Sequence, residues 1–154
     1  MKAIKVLSLT IILALILVGT TGCGKKKVAT PEDFGAVIQD YGYEIRDVID
    51  SDSIDSNITE VAIVAIKDET IIQFFILKTE EDAKNLHKKN TNNFATYEEE
   101  AKPEQGTDKN YEYYKIEIED KYMVSSRIEN TYVYVNVNNE SSSEIKEILK
   151  KLGY

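Results

Sequence analysis

The stretch ITEVAIVAIKDETIIQFFILK, residues 58–78, narrows the choice of fold more than any other part of the chain. Two runs, Val61 to Ile66 and Ile71 to Leu77, are almost unbroken in apolar residues, with Asp68 and Glu69 between them. They read as the arms of a β-hairpin with the two acids near its turn. A strand with one wet face alternates, whereas a strand apolar on both sides is covered on both. The hairpin is therefore expected at the centre of a sheet, with other elements packed on each face.

Around it, periodicity supplies the remaining elements. TPEDFGAVIQDYGY reads as a helix that Thr30 caps, with Pro31 in the first turn and Glu32 and Asp33 at its positive end. Phe34, Val37, Ile38 and Tyr41 form its apolar stripe, and Gly42 followed by Tyr43 stops it. SSSEIKEILKKLGY repeats this grammar. Ser141 and Glu144 have capping-box spacing, Ile145, Ile148, Leu149 and Leu152 make the stripe, and Gly153 and Tyr154 follow. Such helices arise readily by convergence, and we read the repetition that way. Glu44 to Ile49 is expected as a strand and Asp50 to Asn57 as a polar loop. Thr79 and Asp82 open another helix, with Ala83, Leu86, Asn90, Phe94 and Tyr97 on one side of it. That stripe is thin, which places the helix on the surface. Glu98 to Asn110 reads as a loop. Three strands follow, Tyr111 to Glu119, Tyr122 to Ile128 and Thr131 to Val137, turning at Asp120-Lys121 and Glu129-Asn130. The expected fold is α+β: an antiparallel sheet of about six strands with three helices, in the order α-β-β-β-α-β-β-β-α.

Ahead of this domain, MKAIKVLSLTIILALILVGTTGC has the basic, apolar and small-residue regions of an export signal. Its apolar run, Val6 to Val18, is shorter than the roughly 20 residues of a bilayer-spanning helix. VGTTGC resembles a bacterial lipobox, with Thr21 and Gly22 at the small positions and Thr20 where leucine is commonest. The resemblance implies cleavage before Cys23 and a diacylglycerol on its sulfur, mooring the chain to the outer face of the cytoplasmic membrane. The expected division is then a signal peptide over 1–22, a lipidated tether over 23–29 and one domain over 30–154. Lys25, Lys26 and Lys27 would lie beside the lipid surface and aid binding where it is anionic. The segment from SSRIENTYVYV to EIKEILKKLGY also resembles small secreted lipoproteins of Firmicutes that have no assigned activity, and the isoleucine, lysine and asparagine usage resembles that of AT-rich Gram-positive bacteria.

Charge and composition exclude several functions. The chain has 19 basic and 27 acidic side chains, a net charge of −8. Losing Lys2 and Lys5 with the leader brings it to −10, and from Val28 onward it is −13. Such a surface repels phosphate backbones, so nucleic acid is not an expected partner. It also repels anionic lipid, which suggests a domain standing off the membrane while the tether touches down. Cys23 is the only cysteine, so disulfides, zinc–thiolate centres and thiol nucleophiles are absent from the domain itself.

Candidate chemistry is sparse. His87 is the only histidine and lies mid-helix beside Lys88 and Lys89, reading as solvated or flanking the helix. Ser125 and Ser126 sit in a strand without the glycine-rich elbow of a hydrolase nucleophile. Asp47, Asp50, Asp52 and Asp55 could offer oxygen ligands to calcium. Their loop nevertheless lacks the glycine and the twelfth-position glutamate of an EF-hand. Arg127 could hold a carboxylate or phosphate, although pairing with Glu117 or Glu119 across the sheet is the simpler expectation. Tyr113, Tyr132 and Tyr134, with Tyr111, could form an aromatic contact surface. No phosphate loop or dinucleotide fingerprint is present, and no cofactor is expected. These features favour a non-catalytic binding or accessory domain for an envelope protein or small ligand, with calcium binding by the aspartate loop as the alternative.

Overall fold

The computed structural model describes residues 25–154; Cys23 and the leader lie outside the described residues. The elements run α1 (Pro31–Asp40), β1 (Glu44–Asp47), β2 (Thr59–Lys67), β3 (Thr70–Leu77), α2 (Glu80–Phe94), β4 (Glu104–Asp108), β5 (Tyr111–Glu117), β6 (Lys121–Ile128), β7 (Thr131–Asn138) and α3 (Ser142–Leu152). Short 3-10 turns follow α2 at Ala95–Tyr97 and precede α3 at Asn139–Ser141. Among the described residues no helix is long and apolar enough to cross a membrane.

The seven strands form one antiparallel sheet in the order β1-β2-β3-β7-β6-β5-β4. It consists of two meanders. The first, β1-β2-β3, ends at the middle of the sheet. The chain then crosses one face as α2, reaches the far edge, and returns strand by strand until β7 closes against β3. The seam pairs Ile72 with Val135 and Phe74 with Val133.

The α+β class and the three helices match expectation, but the sheet has a seventh strand. That strand, β4, lies inside the expected loop over 98–110. Its sequence EQGTD is polar and mostly exposed, so backbone pairing to β5 holds it at the edge without an apolar face. The apolar hairpin occupies the second and third places, and the middle one belongs to β7. Its cover is also uneven. Ile72, Phe74 and Ala65 are fully buried, whereas Ile71 on the opposite side is 43% exposed.

α1 and α3 pack together on one face. Phe34 stacks on Phe74 with ring centroids 4.8 Å apart, and Ile38, Val124, Val135, Ile145, Ile148 and Leu149 complete the main core. Thr30 and Asp33 form a reciprocal capping box on α1. The expected box on α3 does not form. Ser141 is already helical in backbone, with φ −85° and ψ −6°, and makes no side-chain cap. Its hydroxyl meets Thr70 at 3.0 Å instead, while Glu144 accepts from Lys67 and Tyr43, each at 2.8 Å. Both helices end at a left-handed glycine, Gly42 at φ 78° and Gly153 at φ 88°. Tyr43 N–H and Tyr154 N–H then bond back to Ile38 and Leu149.

Residues 26–29 are folded onto the domain. Asn110 grips the backbone of Lys26 from both sides, accepting from its N–H at 3.0 Å and donating to its carbonyl at 2.9 Å. Ala29 is buried in the main core. The segment read as a tether is therefore joined to the structure from its third or fourth residue.

Candidate functional site

The second face of the sheet is built differently. α2 lies across it, and its inward positions are not all apolar: Ala83, His87 and Phe94 are buried, with Asn90 half-buried between them. Thr79 fixes the start of the helix by accepting from Asp82 N–H at 3.0 Å. His87, Asn90 and Phe94 then fall at helical spacing over β6 and β7.

A chain of hydrogen bonds joins this helix to the strands. Asn90 Nδ2 donates to the Tyr132 hydroxyl at 2.8 Å. The Tyr132 and Ser125 hydroxyls are 2.9 Å apart, and Ser125 Oγ lies 2.9 Å from His87 Nδ1. A neutral imidazole lets every proton run one way: Tyr132 donates to Ser125, Ser125 donates to Nδ1, and Nε2–H faces Glu112 Oε2 at 3.9 Å. Burial lowers the His87 pKa, and Arg127 pushes it the same way against the opposing pull of Glu112. The neutral form thus suits the site. The reading of His87 as solvated is corrected: it is 8% exposed and bonded to the sheet.

Arg127 continues the array. Its guanidinium reaches Glu112 at 2.6 Å and Glu80 at 3.1 Å, and Glu80 also meets Lys84 at 3.3 Å. The partners expected for Arg127, Glu117 and Glu119, are not the ones it takes. Register decides this: Glu112 stands directly opposite Arg127, whereas Glu117 stands opposite Tyr122. Arg127 is 2% exposed and held by two carboxylates, so it is a buried tie between α2 and the sheet.

Glu112, His87 and Ser125 make a sequence of groups seen in acyl-transfer triads, yet the geometry gives them other work. Ser125 is fully buried and its hydroxyl is shared between His87 and Tyr132. At 3.9 Å, Glu112 is beyond hydrogen-bond reach of the ring. The array seats a helix on a sheet.

Beside it opens a cleft of about 670 Å³, bounded by α2, the loop between β1 and β2, and strands β2, β3 and β7. Tyr132, Tyr134 and Gln73 line its sheet side, Asn85, Lys89 and Asn90 the helix side, and Ser53, Ile54 and Asp55 the loop. Phe75, Leu86 and Ile58 supply an apolar flank. Cross-strand pairing brings Tyr134 against both Gln73 and Ser125. Packed on α2, Tyr132 and Tyr134 keep their places: Phe94 lies 5.6 Å from Tyr134 and Phe75 6.1 Å from Tyr132, ring to ring.

Of the residues singled out from sequence, Tyr132 and Tyr134 meet in this cleft, and Arg127 shares their face as the cross-strand neighbour of Tyr132. Tyr113 does not join them, because it alternates to the opposite face of β5 and stacks on Tyr111. Asp55 lines the cleft rim. Asp47 and Asp55 turn inward on their own loop, accepting from the backbone N–H of Ile49 and Asn57, each at 2.9 Å. Asp50 and Asp52 are exposed. Among the described residues no three histidine, cysteine or acidic side chains gather as a metal-ligand set. Sequence reading passed over Gln73 and Asn85, which no local pattern marks. It placed Asn90 on the inner stripe of α2 without a role.

No family model and no curated protein matches the chain. A solved structure, described as a GTP-binding regulator from Thermotoga maritima, superimposes on 80% of this chain and 87% of its own, with a TM-score of 0.50 and 14% sequence identity. At that identity the likeness speaks for the fold alone.

Proposed function

We propose that this chain is a lipid-anchored extracytoplasmic protein whose domain binds a small ligand without transforming it, in the cleft beside α2. The observation that carries the reading is the cleft itself. It has hydrogen-bonding groups on facing walls, an apolar flank, and behind it a serine and histidine sealed from any substrate. Such a mixture suits recognition of small molecules. Lys89 stands with Asp55 and Asp82 around the opening, so the site carries both signs with a net charge of −1. A neutral or zwitterionic ligand fits this balance better than a nucleoside triphosphate. The side-chain amides of Gln73 and Asn85 each offer both a donor and an acceptor, as peptide or acetamido groups require, whereas Asn90 spends its two donor hydrogens on Tyr132 and on the Leu86 carbonyl and leaves its oxygen to accept. The anchor rests on VGTTGC and the leader before it, which argue for an envelope location. Calcium binding by the aspartate loop has no converging ligand set among the described residues to support it.

The test is a titration of isotope-labelled protein with short peptides and peptidoglycan fragments, read at the side-chain amide resonances of Gln73, Asn85 and Asn90. Saturable shifts are expected, with affinity falling about tenfold in Tyr134→Ala through loss of one aromatic contact. Resonances that stay put at millimolar concentrations of both ligand classes would remove the cleft as a binding site.

A further inference from the structure

The first face of the sheet is not wholly covered. α1 and α3 pack over its middle, and β5 turns Tyr111, Tyr113 and Lys115 outward beside them. With Lys26 these three side chains form a continuous file of four. Lys26 Nζ lies 4.2 Å above the Tyr111 ring, Tyr111 stacks on Tyr113 at 5.9 Å, and Lys115 Nζ lies 5.1 Å above the Tyr113 ring. Gly106 on β4 makes room for the Tyr113 ring, since a β-carbon there would stand 2.8 Å from it. Lys26 is also tied to the end of α3, donating to the Gly153 carbonyl at 2.8 Å. Through it the file continues into a hollow of about 320 Å³ lined by Lys27, Lys151 and Asp33. At the other end, Lys115 shares a hollow with Lys102 and Lys146 and with Glu104 and Glu117.

We propose that this lysine–tyrosine band, running from Lys27 and Lys151 through Lys26, Tyr111 and Tyr113 to Lys115, is the surface by which the domain lies on an anionic phospholipid membrane. The idea rests on the lipid anchor of the preceding reading and adds an orientation to it. Lysine and tyrosine are side chains that favour a membrane–water interface. The domain as a whole is strongly acidic, and the band gathers Lys26, Lys27, Lys115 and Lys151 into one file, which makes it the side an anionic surface repels least. Some of its cations are already paired, Lys27 with Asp33, Lys25 with Glu129 and Lys146 with Glu117. Lys26 and Lys115, in contrast, face ring surfaces. The Lys26 pKa is lowered by burial and by the charge of Lys115, a strain that a nearby anion relieves.

Position gives the second argument. Because Asn110 clamps Lys26, Gly24 and Lys25 are all that separates the clamped residue from Cys23 in sequence. Two residues extend the backbone by at most about 7 Å, so a lipid on Cys23 holds Lys25 within a headgroup layer's depth. The domain cannot stand off; it lies against the bilayer, and the band is the face next to the anchor.

The experiment uses full-length protein purified from membranes and reconstituted in vesicles of phosphatidylcholine, with or without phosphatidylglycerol. Mass spectrometry first reads the Cys23 peptide. Amine acetylation rates are then compared for Lys27, Lys115 and Lys151 against Lys88 and Lys89 on the opposite face. On phosphatidylglycerol vesicles the three band lysines should react about fivefold more slowly, and high salt should restore them. Lys115→Glu should return Lys27 and Lys151 towards their phosphatidylcholine rates. Equal rates on both vesicle types, with Cys23 lipidated, overturn the inference. A Cys23 peptide without diacylglycerol sinks the anchoring reading instead, and cosedimentation of that same protein with phosphatidylglycerol vesicles then decides the surface by itself.

Discussion

The two faces of the sheet are held by different physics. On one, α1 and α3 bury phenylalanine, isoleucine, valine and leucine in a continuous core. On the other, α2 meets two smaller apolar clusters, one around Phe75, Leu77 and Ala83 and one around Phe94, Ile116 and Met123. Between them run the polar contacts of Arg127, Glu112, His87, Ser125, Tyr132 and Asn90. An apolar interface supplies free energy in proportion to area and tolerates small shifts in register. A buried polar array supplies little net stability but demands one arrangement, because each misplaced group is left unsatisfied. The first face gives the domain its stability, and the second fixes where α2 sits and so shapes the cleft at its side.

The sharpest break of this contrast is on the apolar face. Phe34→Ala should cost about 4 kcal/mol by removing the ring stacked on Phe74, read from urea unfolding. A loss similar to that of a surface change would show that the core is not where the stability lies. Next comes the ion pair. Glu112→Leu alone should cost about 3 kcal/mol, because it leaves a guanidinium that is 2% exposed with the solvent-facing Glu80 as its remaining carboxylate. Adding Arg127→Met should recover most of that loss, to about 1 kcal/mol or less below the parent. A double variant as unstable as the single would mean that the pair itself contributes net stability.

Acid provides a third probe. The folded His87 pKa is lowered from its ordinary 6.5, chiefly by burial. The unfolded chain therefore binds this proton at a higher pH than the folded one, and stability falls as pH drops below the ordinary value. The carboxylates lowered by their lysine and arginine partners, Glu80 and Glu144, matter only at more acidic pH. Between about pH 7 and 5 the slope should thus belong to His87 and flatten in His87→Gln. A slope unchanged in that variant would place the titration elsewhere. The smallest contrast is between helix starts. Thr30→Ala should cost about 1 kcal/mol, and Ser141→Ala clearly less, because Ser141 makes no cap and only touches Thr70. Equal losses in thermal melts would contradict the difference between the two N-termini.

The same division explains what could be read from the sequence. The stripes of α1 and α3, the glycine stops and the two-residue turns at Asp68-Glu69 and Glu129-Asn130 follow from local patterns of apolar and turn residues. Both turns begin with a residue at φ 52°, Asp68 and Glu129. The turn after β5 falls one residue earlier than expected, because Ile118 N–H bonds to the Lys121 carbonyl and leaves Glu119-Asp120 as the loop. β4 was hidden, since a polar edge strand is specified by its neighbour's backbone rather than by its own side chains. His87 was misjudged for a related reason. Spaced four from Ala83 and seven from Phe94, it follows the buried stripe, but a polar residue on such a stripe is recognised only when its partners on distant strands are known. The cleft needed the same long-range knowledge, for Gln73, Asn85 and Tyr134 come from three separate elements.

The chain's two meanders touch as strands only where β3 meets β7. Each therefore zips from neighbouring segments, and their union waits on a meeting of distant ones. A nick in the polar stretch between the Ala95–Tyr97 turn and β4 would cut the molecule into two pieces that each keep a complete meander. Mixed together, the halves should find one another along that single border and rebuild α2 across it, which makes this domain a natural split reporter.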